Sequence, residues 1–266
     1  MVAKALLFIF IHLLASASLA LPDNSLRIVT ENWPPVTYEK EGQAQGMAVE
    51  LAHLIQKEMG ESDPIEVLPW PRAYHVAKTR PNTLLFTVVR TPEREQLFTL
   101  LGPIANGEIA IYTRRTADLS FSDLNYVKEN YSVAVHRGTA FHKVLEDNGY
   151  KKIVPVNSSI SGLKMLMAGR VDMLCDDVLA IHRISEEAGY PYDAQKKVTS
   201  LQHSSLYFAF SKNTDKDIIE KWKRSFEKIK KNGTYKALYK KWFGPLSSPT
   251  EVLLVSNGKK APIIEL

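Results

Sequence analysis

An α/β fold built on a mostly parallel sheet is what this sequence predicts, on three observations. The run Thr83-Leu84-Leu85-Phe86-Thr87-Val88-Val89 is almost wholly apolar or β-branched, the pattern of a strand covered on both faces. Strand-like and helix-like segments alternate around it with short connections, the rhythm of parallel βαβ units. The same alternation starts afresh near Tyr131, so the sheet is expected in two series.

Leu26–Thr30 reads as the first strand, followed by Glu31-Asn32-Trp33-Pro34-Pro35-Val36-Thr37-Tyr38, where two prolines hold Trp33 and Tyr38 on a stiff loop. Met47, Leu51, Leu54, Ile55 and Met59 then mark one face of a helix opened by Gly46. Ile65–Leu68 is a strand, and Pro71 suits the first turn of a helix carrying Arg72, Tyr74 and His75. After the buried run come a strand over Glu108–Thr113 and a polar, turn-rich stretch from Thr116 to Leu124. The second series has strands at Tyr131–Val135, Lys152–Val156 and Val171–Cys175, with helices over Ala140–Asn148 and Ser158–Ala168 between them. Thr139 is placed to cap the first of these helices. A strand at Leu206–Phe210 and two amphipathic helices, Asp215–Lys231 and Thr234–Trp242, complete the fold. Residues 245–266 show no period and are expected as a tail.

The amino terminus carries Lys4, an apolar run from Ala5 to Leu14 and small residues ending Ser18-Leu19-Ala20, the pattern of a secretory leader over residues 1–20. That run is shorter than the roughly 20 residues that span a bilayer. Cleavage is expected after Ala20, with Ala17 as a second site. The single cysteine, Cys175, excludes an internal disulfide framework, and its strand-like setting suits a buried thiol. A net charge of +5 is modest, and its densest block, Lys221–Lys241, lies on helices with regular apolar positions. A solvated helix face therefore outweighs nucleic-acid binding. The histidines show no zinc-site spacing, and no nucleophile elbow or phosphate loop is present. No cofactor is expected.

Two charged clusters follow buried strands, where open α/β sheets bind ligands. Arg90-Thr91-Pro92-Glu93-Arg94-Glu95 follows the first, making Arg94 a candidate anion clamp; surface pairing of Arg90 and Arg94 with Glu93 and Glu95 is the even alternative. Asp176-Asp177 follows Val171–Cys175, and Asp177 reads equally as a ligand group or as an N-cap for a helix over Val178–Ala188.

Gly46-Met47-Ala48-Val49-Glu50-Leu51, Thr91-Pro92-Glu93-Arg94, Gly138-Thr139, Ala168-Gly169-Arg170-Val171-Asp172 and Tyr239-Lys240-Lys241-Trp242-Phe243-Gly244 together resemble the bacterial extracellular solute-binding proteins of family 3. Each motif is weak alone; the five in this order, spanning Leu26–Gly244, are specific. The resemblance implies a type II periplasmic binding protein, two lobes joined by two crossings that close over a ligand. The crossings are expected near Tyr112 and Tyr207, with lobe 1 formed by 21–112 and 207–244 and lobe 2 by 113–206. It implies that Arg94 pairs with a ligand carboxylate, Asp177 takes an ammonium, and Thr139 lies in a loop that assists the carboxylate. Trp33 falls at an aromatic wall, Thr87 at a small polar contact and Trp70 near the pocket. Arg72 joins Trp70 and His75 in a cluster that, facing the cleft, would suit a second anionic group or a ring; a core tryptophan and a surface arginine are the plain alternatives. Val89 departs from the usual Ser or Thr, and Ala48 from the usual Asp.

The implied function is capture of a small polar ligand, an amino acid or related carboxylate, for an ABC permease in the inner membrane by a monomeric periplasmic receptor. Two alternatives stand beside it. One is an enzyme on the same fold resembling cyclohexadienyl dehydratase, and the other a ligand sensor docking on a membrane receptor.

Overall fold

The computed structural model describes residues 25–119, 123–191, 193–244 and 246–256 and the backbone of Lys259–Lys260; the expected leader lies outside the described residues. The chain runs β1 (Arg27–Thr30), a hairpin of β2 (Tyr38–Lys40) and β3 (Gln43–Gln45), α1 (Met47–Met59), β4 (Ile65–Val67), α2 (Trp70–Thr79), β5 (Thr83–Val89), α3 (Pro92–Leu97) and β6 (Phe98–Arg114). The second series is α4 (Leu124–Asn130), β7 (Ser132–His136), α5 (Ala140–Asp147), β8 (Lys152–Val156), α6 (Ser159–Met167), β9 (Met173–Asp177) and α7 (Ile181–Glu187). It closes with β10 (Gln195–Ser211), α8 (Lys216–Lys231), α9 (Thr234–Phe243), β11 (Leu253–Ser256) and β12 (Lys259–Lys260).

One sheet runs in the order β4-β1-β5-β10-β6-β9-β7-β8. Its two halves repeat one plan. In the first, β1 pairs in parallel with β4 and β5, and β10 lies antiparallel to β5. In the second, β7 pairs in parallel with β8 and β9, and β6 lies antiparallel to β9. The fold is therefore the two-lobed α/β architecture expected.

β6 and β10 belong to both halves. They pair with each other from Gln195↔Arg114 to Ser211↔Phe98. β6 meets β9 over Ile109–Tyr112, whereas β10 meets β5 over Leu206–Phe210. Tyr112, expected at a crossing, thus pairs with Leu174 inside the second half, and β6 passes between the halves before Ile109. The sequence hid these long strands because Gly102-Pro103, Asn106-Gly107 and Gln202-His203-Ser204-Ser205 interrupt their apolar pattern.

β5 is buried at every position. Leu84 and Phe86 point to the core under α1, α8 and α9, and Leu85 and Val88 to the core under α2. The parity slips at Thr87, where the β5–β10 register shifts and φ is +68°. Such a bulge with a β-branched residue in the left-handed region costs on the order of 1–3 kcal/mol and is found chiefly at functional sites.

Three other expectations are corrected. The Pro92 turn is a short helix, α3, whose N-cap Thr91 accepts from the Arg94 amide. The segment 245–266, expected as a tail, supplies β11, which pairs antiparallel with Leu100–Gly102 and buries Leu253 and Val255. α7 begins at Ile181 with Ala180 at its N-cap, so Asp177 does not cap it. Cys175 is fully buried on β9, where burial pushes its thiol pKa up, as expected of an unreactive thiol.

Gly46 fixes the approach to the site. The first amides of α1, Met47 and Ala48, donate to the Pro35 and Val36 carbonyls and so anchor the Trp33 loop. Gly46 has φ +120°, and a Cβ there would lie 2.5 Å from the Val36 carbonyl oxygen. Gly46→Ala is expected to lower stability by about 3 kcal/mol or more, read as the urea midpoint.

Candidate functional site

The carboxyl ends of β1, β5, β7 and β9 and the amino ends of α2, α5 and α6 converge between the two halves. There the ends of β1, β5 and β7 and of the three helices line a cavity of about 320 Å³ that is partly open to solvent. The first half contributes Glu31, Trp33, Trp70, Thr87, Val89 and Arg94. The second contributes His136, Thr139, Ala140, Phe141 and Ser159.

Arg94 is 6 % exposed, and its Nη1 donates to the Val89 carbonyl at 2.8 Å. Its guanidinium lies 5.1 Å from the Trp70 ring and 5.6 Å from that of Tyr74. Burial lowers its pKa, opposed by Tyr74 and Glu31. Among the described residues no carboxylate comes within 4.0 Å of it. The alternative of a solvated surface pair holds instead for Arg90, which bonds Glu95 at 2.5 Å.

The two adjacent aspartates part company because successive strand residues face opposite ways. Asp177 turns to the crossing strands. It accepts from the Ser204 hydroxyl on β10, from the Glu108 amide on β6 at 3.4 Å and from the Leu179 amide at 3.0 Å. Gly107 makes room for it, since a Cβ there would fall 2.2 Å from Asp177 Oδ1. Neither Asp177 nor Asp176 stands on the cavity wall itself. Asp176 turns the other way: its Oδ1 accepts from Trp33 Nε1 at 3.2 Å and from the Asp177 amide at 2.8 Å, while Oδ2 is buried with no hydrogen-bond partner. Ser159, itself on the cavity wall, is close enough to hold the carboxyl pKa down, yet its hydroxyl makes no well-formed bond. Burial nonetheless pushes Asp176 up to about 6 and Asp177 likewise.

Thr139 lines the cavity, but its hydroxyl serves the chain. It donates to the His136 carbonyl at 2.7 Å and accepts from the His142 amide as the cap of α5. What α5 offers the cavity is its first turn, the positive end of the helix dipole, at Ala140 and Phe141. The Thr87 hydroxyl donates to the Phe86 carbonyl at 2.6 Å. Trp33 and Trp70 are 4 % and 3 % exposed and stand on the wall. Arg72 and His75 do not: both are exposed, and Arg72 acts only as a distant charge on Glu66. Consecutive helix positions cannot all face inward, so Trp70 and Tyr74, four apart, turn to the site while Arg72 and His75 turn to solvent.

Glu31 and His136 were not anticipated. Burial pushes the Glu31 carboxyl up to about 8 against the pull of Arg94, and burial drives His136 down to about 4. Their side chains approach at 3.6 Å between Oε2 and Nδ1 across the two halves, both neutral near pH 7. A signal was available, since Glu31 directly follows β1 and His136 ends β7, the positions at which open α/β sheets bind ligands.

The pH dependence follows with a definite sign. Between the ordinary value of 4.5 and about 8 the folded protein holds a proton on Glu31 that the unfolded chain has released, so this contribution to stability falls as pH rises. From pH 6.5 to 8 it amounts to about 1–2 kcal/mol. Lys230, depressed to about 7 by burial, has the opposite slope there. The comparison with Glu31→Gln cancels it: wild type is expected to lose that much more stability than the variant over this range in urea unfolding.

Two α/β halves joined by two continuous strands, with a buried cation and a buried acid at the strand ends between them, define a two-lobed binding protein with a cleft for a small solute. Residues 26–245 match the family described as bacterial extracellular solute-binding proteins, family 3, and the chain belongs to that family. It is thus a solute-binding protein rather than an enzyme. The L-cystine-binding protein TcyA of Bacillus subtilis strain 168 is 22 % identical over 226 residues, covering 82 % of this chain and 81 % of TcyA. Among solved structures, a histidine kinase sensor domain described as similar to periplasmic binding proteins superposes with a TM-score of 0.75 at 22 % identity, over 85 % of this chain and all of that one. The arginine-, lysine-, histidine-binding protein ArtJ of Geobacillus stearothermophilus reaches 0.72 at 17 % identity, over 85 % of this chain and 97 % of its own. These structures share the type II periplasmic binding fold.

Proposed function

We propose that the protein is a periplasmic receptor that captures an amino acid between its lobes and presents it to an ABC permease, after removal of residues 1–20. The observation that carries this reading is Arg94, a buried cation that has no carboxylate partner among the described residues and stands on the wall of a cavity between the lobes. An uncompensated buried charge is costly, so such a group calls for an anion.

In this reading the ligand carboxylate sits between the Arg94 guanidinium and the first turn of α5. Arg94 has five N–H donors; one is held by Val89, and the planar fork suits a carboxylate. The ammonium goes to Asp176, whose buried Oδ2 makes no well-formed hydrogen bond among the described residues, and not to Asp177. Trp33, Trp70 and Thr87 line the bound molecule, whereas Arg72 takes no part. The relatives named for cystine and for arginine, lysine and histidine are amino-acid binders, in keeping with a zwitterion site. Lobe 1 would comprise residues 25 to about 105 and about 206 to 256, with lobe 2 between. The receptor acts as a monomer.

The test is thermal unfolding of the mature protein against L-amino acids, L-cystine, dicarboxylates and prephenate. At about 100 times its Kd a ligand adds roughly 2.7 kcal/mol, a shift of several degrees. Stabilisation by an amino acid, lost in Arg94→Met, is the expected result. A response to prephenate or a dicarboxylate alone would overturn the amino-acid assignment.

A further inference from the structure

The lobes touch through bonds made by the chain itself. Trp70, from α2 of the first half, donates its indole Nε1–H to the Gly138 carbonyl of the second at 3.0 Å. Trp33, from the loop after β1, donates to Asp176 Oδ1 at the end of β9 at 3.2 Å. Both indoles are almost wholly buried, and the Trp33 ring also meets Phe141 of α5 at 5.9 Å between centroids.

The two bonds sit where the proposed ligand groups would sit. The Trp70 face covers the Arg94 guanidinium while its edge holds Gly138, the residue before the α5 cap. Its bond therefore sets the distance between the two groups that would grip a carboxylate. Trp33 does the same at the other end: it holds Asp176 by one oxygen, while the other makes no well-formed hydrogen bond among the described residues.

We propose that Trp33 and Trp70 form a two-point latch across the cleft, so that the closed arrangement is populated by the chain alone and not only by a solute bridging the lobes. This goes beyond the choice of ligand and stands whichever solute is bound. A net hydrogen bond of ordinary strength changes a closed-to-open ratio about fivefold, and two such bonds change it more than tenfold. The indole N–H is the operative group, so a phenyl ring that keeps the stacking on Arg94 should still lose the latch.

The test uses spin labels on introduced cysteines, Lys78→Cys on α2 and Glu129→Cys on α4, both exposed and in different halves. Cys175 is buried and stays unlabelled. The protein is stripped of small molecules by unfolding and refolding, and the distance between labels is measured by pulsed electron resonance without added solute. The expected result is a dominant short-distance population in the otherwise unmodified protein. Trp70→Phe and Trp33→Phe should each move the short-to-long ratio about fivefold toward long distances. A stripped protein with only the long-distance population would overturn the proposal, and that arm needs neither tryptophan variant to fold. A short-distance population unchanged in the folded Trp70→Phe and Trp33→Phe proteins would equally overturn it, assigning both rings to packing alone.

Discussion

Replacing Arg94 with methionine is expected to weaken amino-acid binding by about a hundred- to ten-thousandfold. Two charge-assisted bonds at about 1.5–3 kcal/mol each are lost together. The free protein should behave differently. Arg94 is buried beside Trp70 and Tyr74, keeps one bond to Val89 and has no ion-pair partner among the described residues, so its desolvation is not repaid there. A side chain of similar volume without charge should leave the melting temperature of the unliganded protein unchanged or raise it. Calorimetric titration and a thermal scan on the same sample separate the two effects. Loss of binding accompanied by a large loss of stability would mean that Arg94 is a structural cation, and the carboxylate assignment would fall.

The second large effect concerns the two aspartates. Asp176→Asn should weaken binding about ten- to a hundredfold, because the ammonium loses a charged partner worth about 1.5–3 kcal/mol. Asp177→Asn should leave affinity within a few fold and lower stability by about 1–3 kcal/mol. Its carboxylate gathers donors from Ser204, Glu108 and Leu179, and an amide can accept fewer of them. The reverse pattern, with binding lost only in Asp177→Asn, would restore Asp177 as the ligand group and place Asp176 among the buried structural acids.

These expectations also mark where the sequence is easy to read and where it is not. The buried character of Thr83–Val89, the parallel series around it and the site at strand ends are written in local composition, and they are found as expected. Arg94 was legible for the same reason, being the charged residue one turn beyond such a strand. The neighbouring aspartates were not separable, because a local pattern gives the alternation of two strand residues but not which face meets the cleft. That choice depends on β6 and β10, whose contacts with Asp177 join residues about 70 and 27 positions away in sequence.

Glu31 and His136 illustrate the same limit from the other side. Neither residue type is unusual after a strand. Their shifted pKa values come from burial that exists only once the lobes meet, across more than 100 positions of chain. The strand β11 lies in a stretch without period, and it forms because the exposed edge of β6 in the first half supplies a partner.

The sequence by itself thus determined the class of fold, its two series, the buried strands and the place of a cation beyond one of them, since apolar period, turn residues and charge position are local properties. Only the tertiary structure decided where β6 and β10 pass from one half to the other, which partners each of the two aspartates turns to, and that Trp33 and Trp70 join the halves directly. Each of those depends on the register of long-range strand pairing and on the burial it creates, and neither is a property of any single stretch of chain.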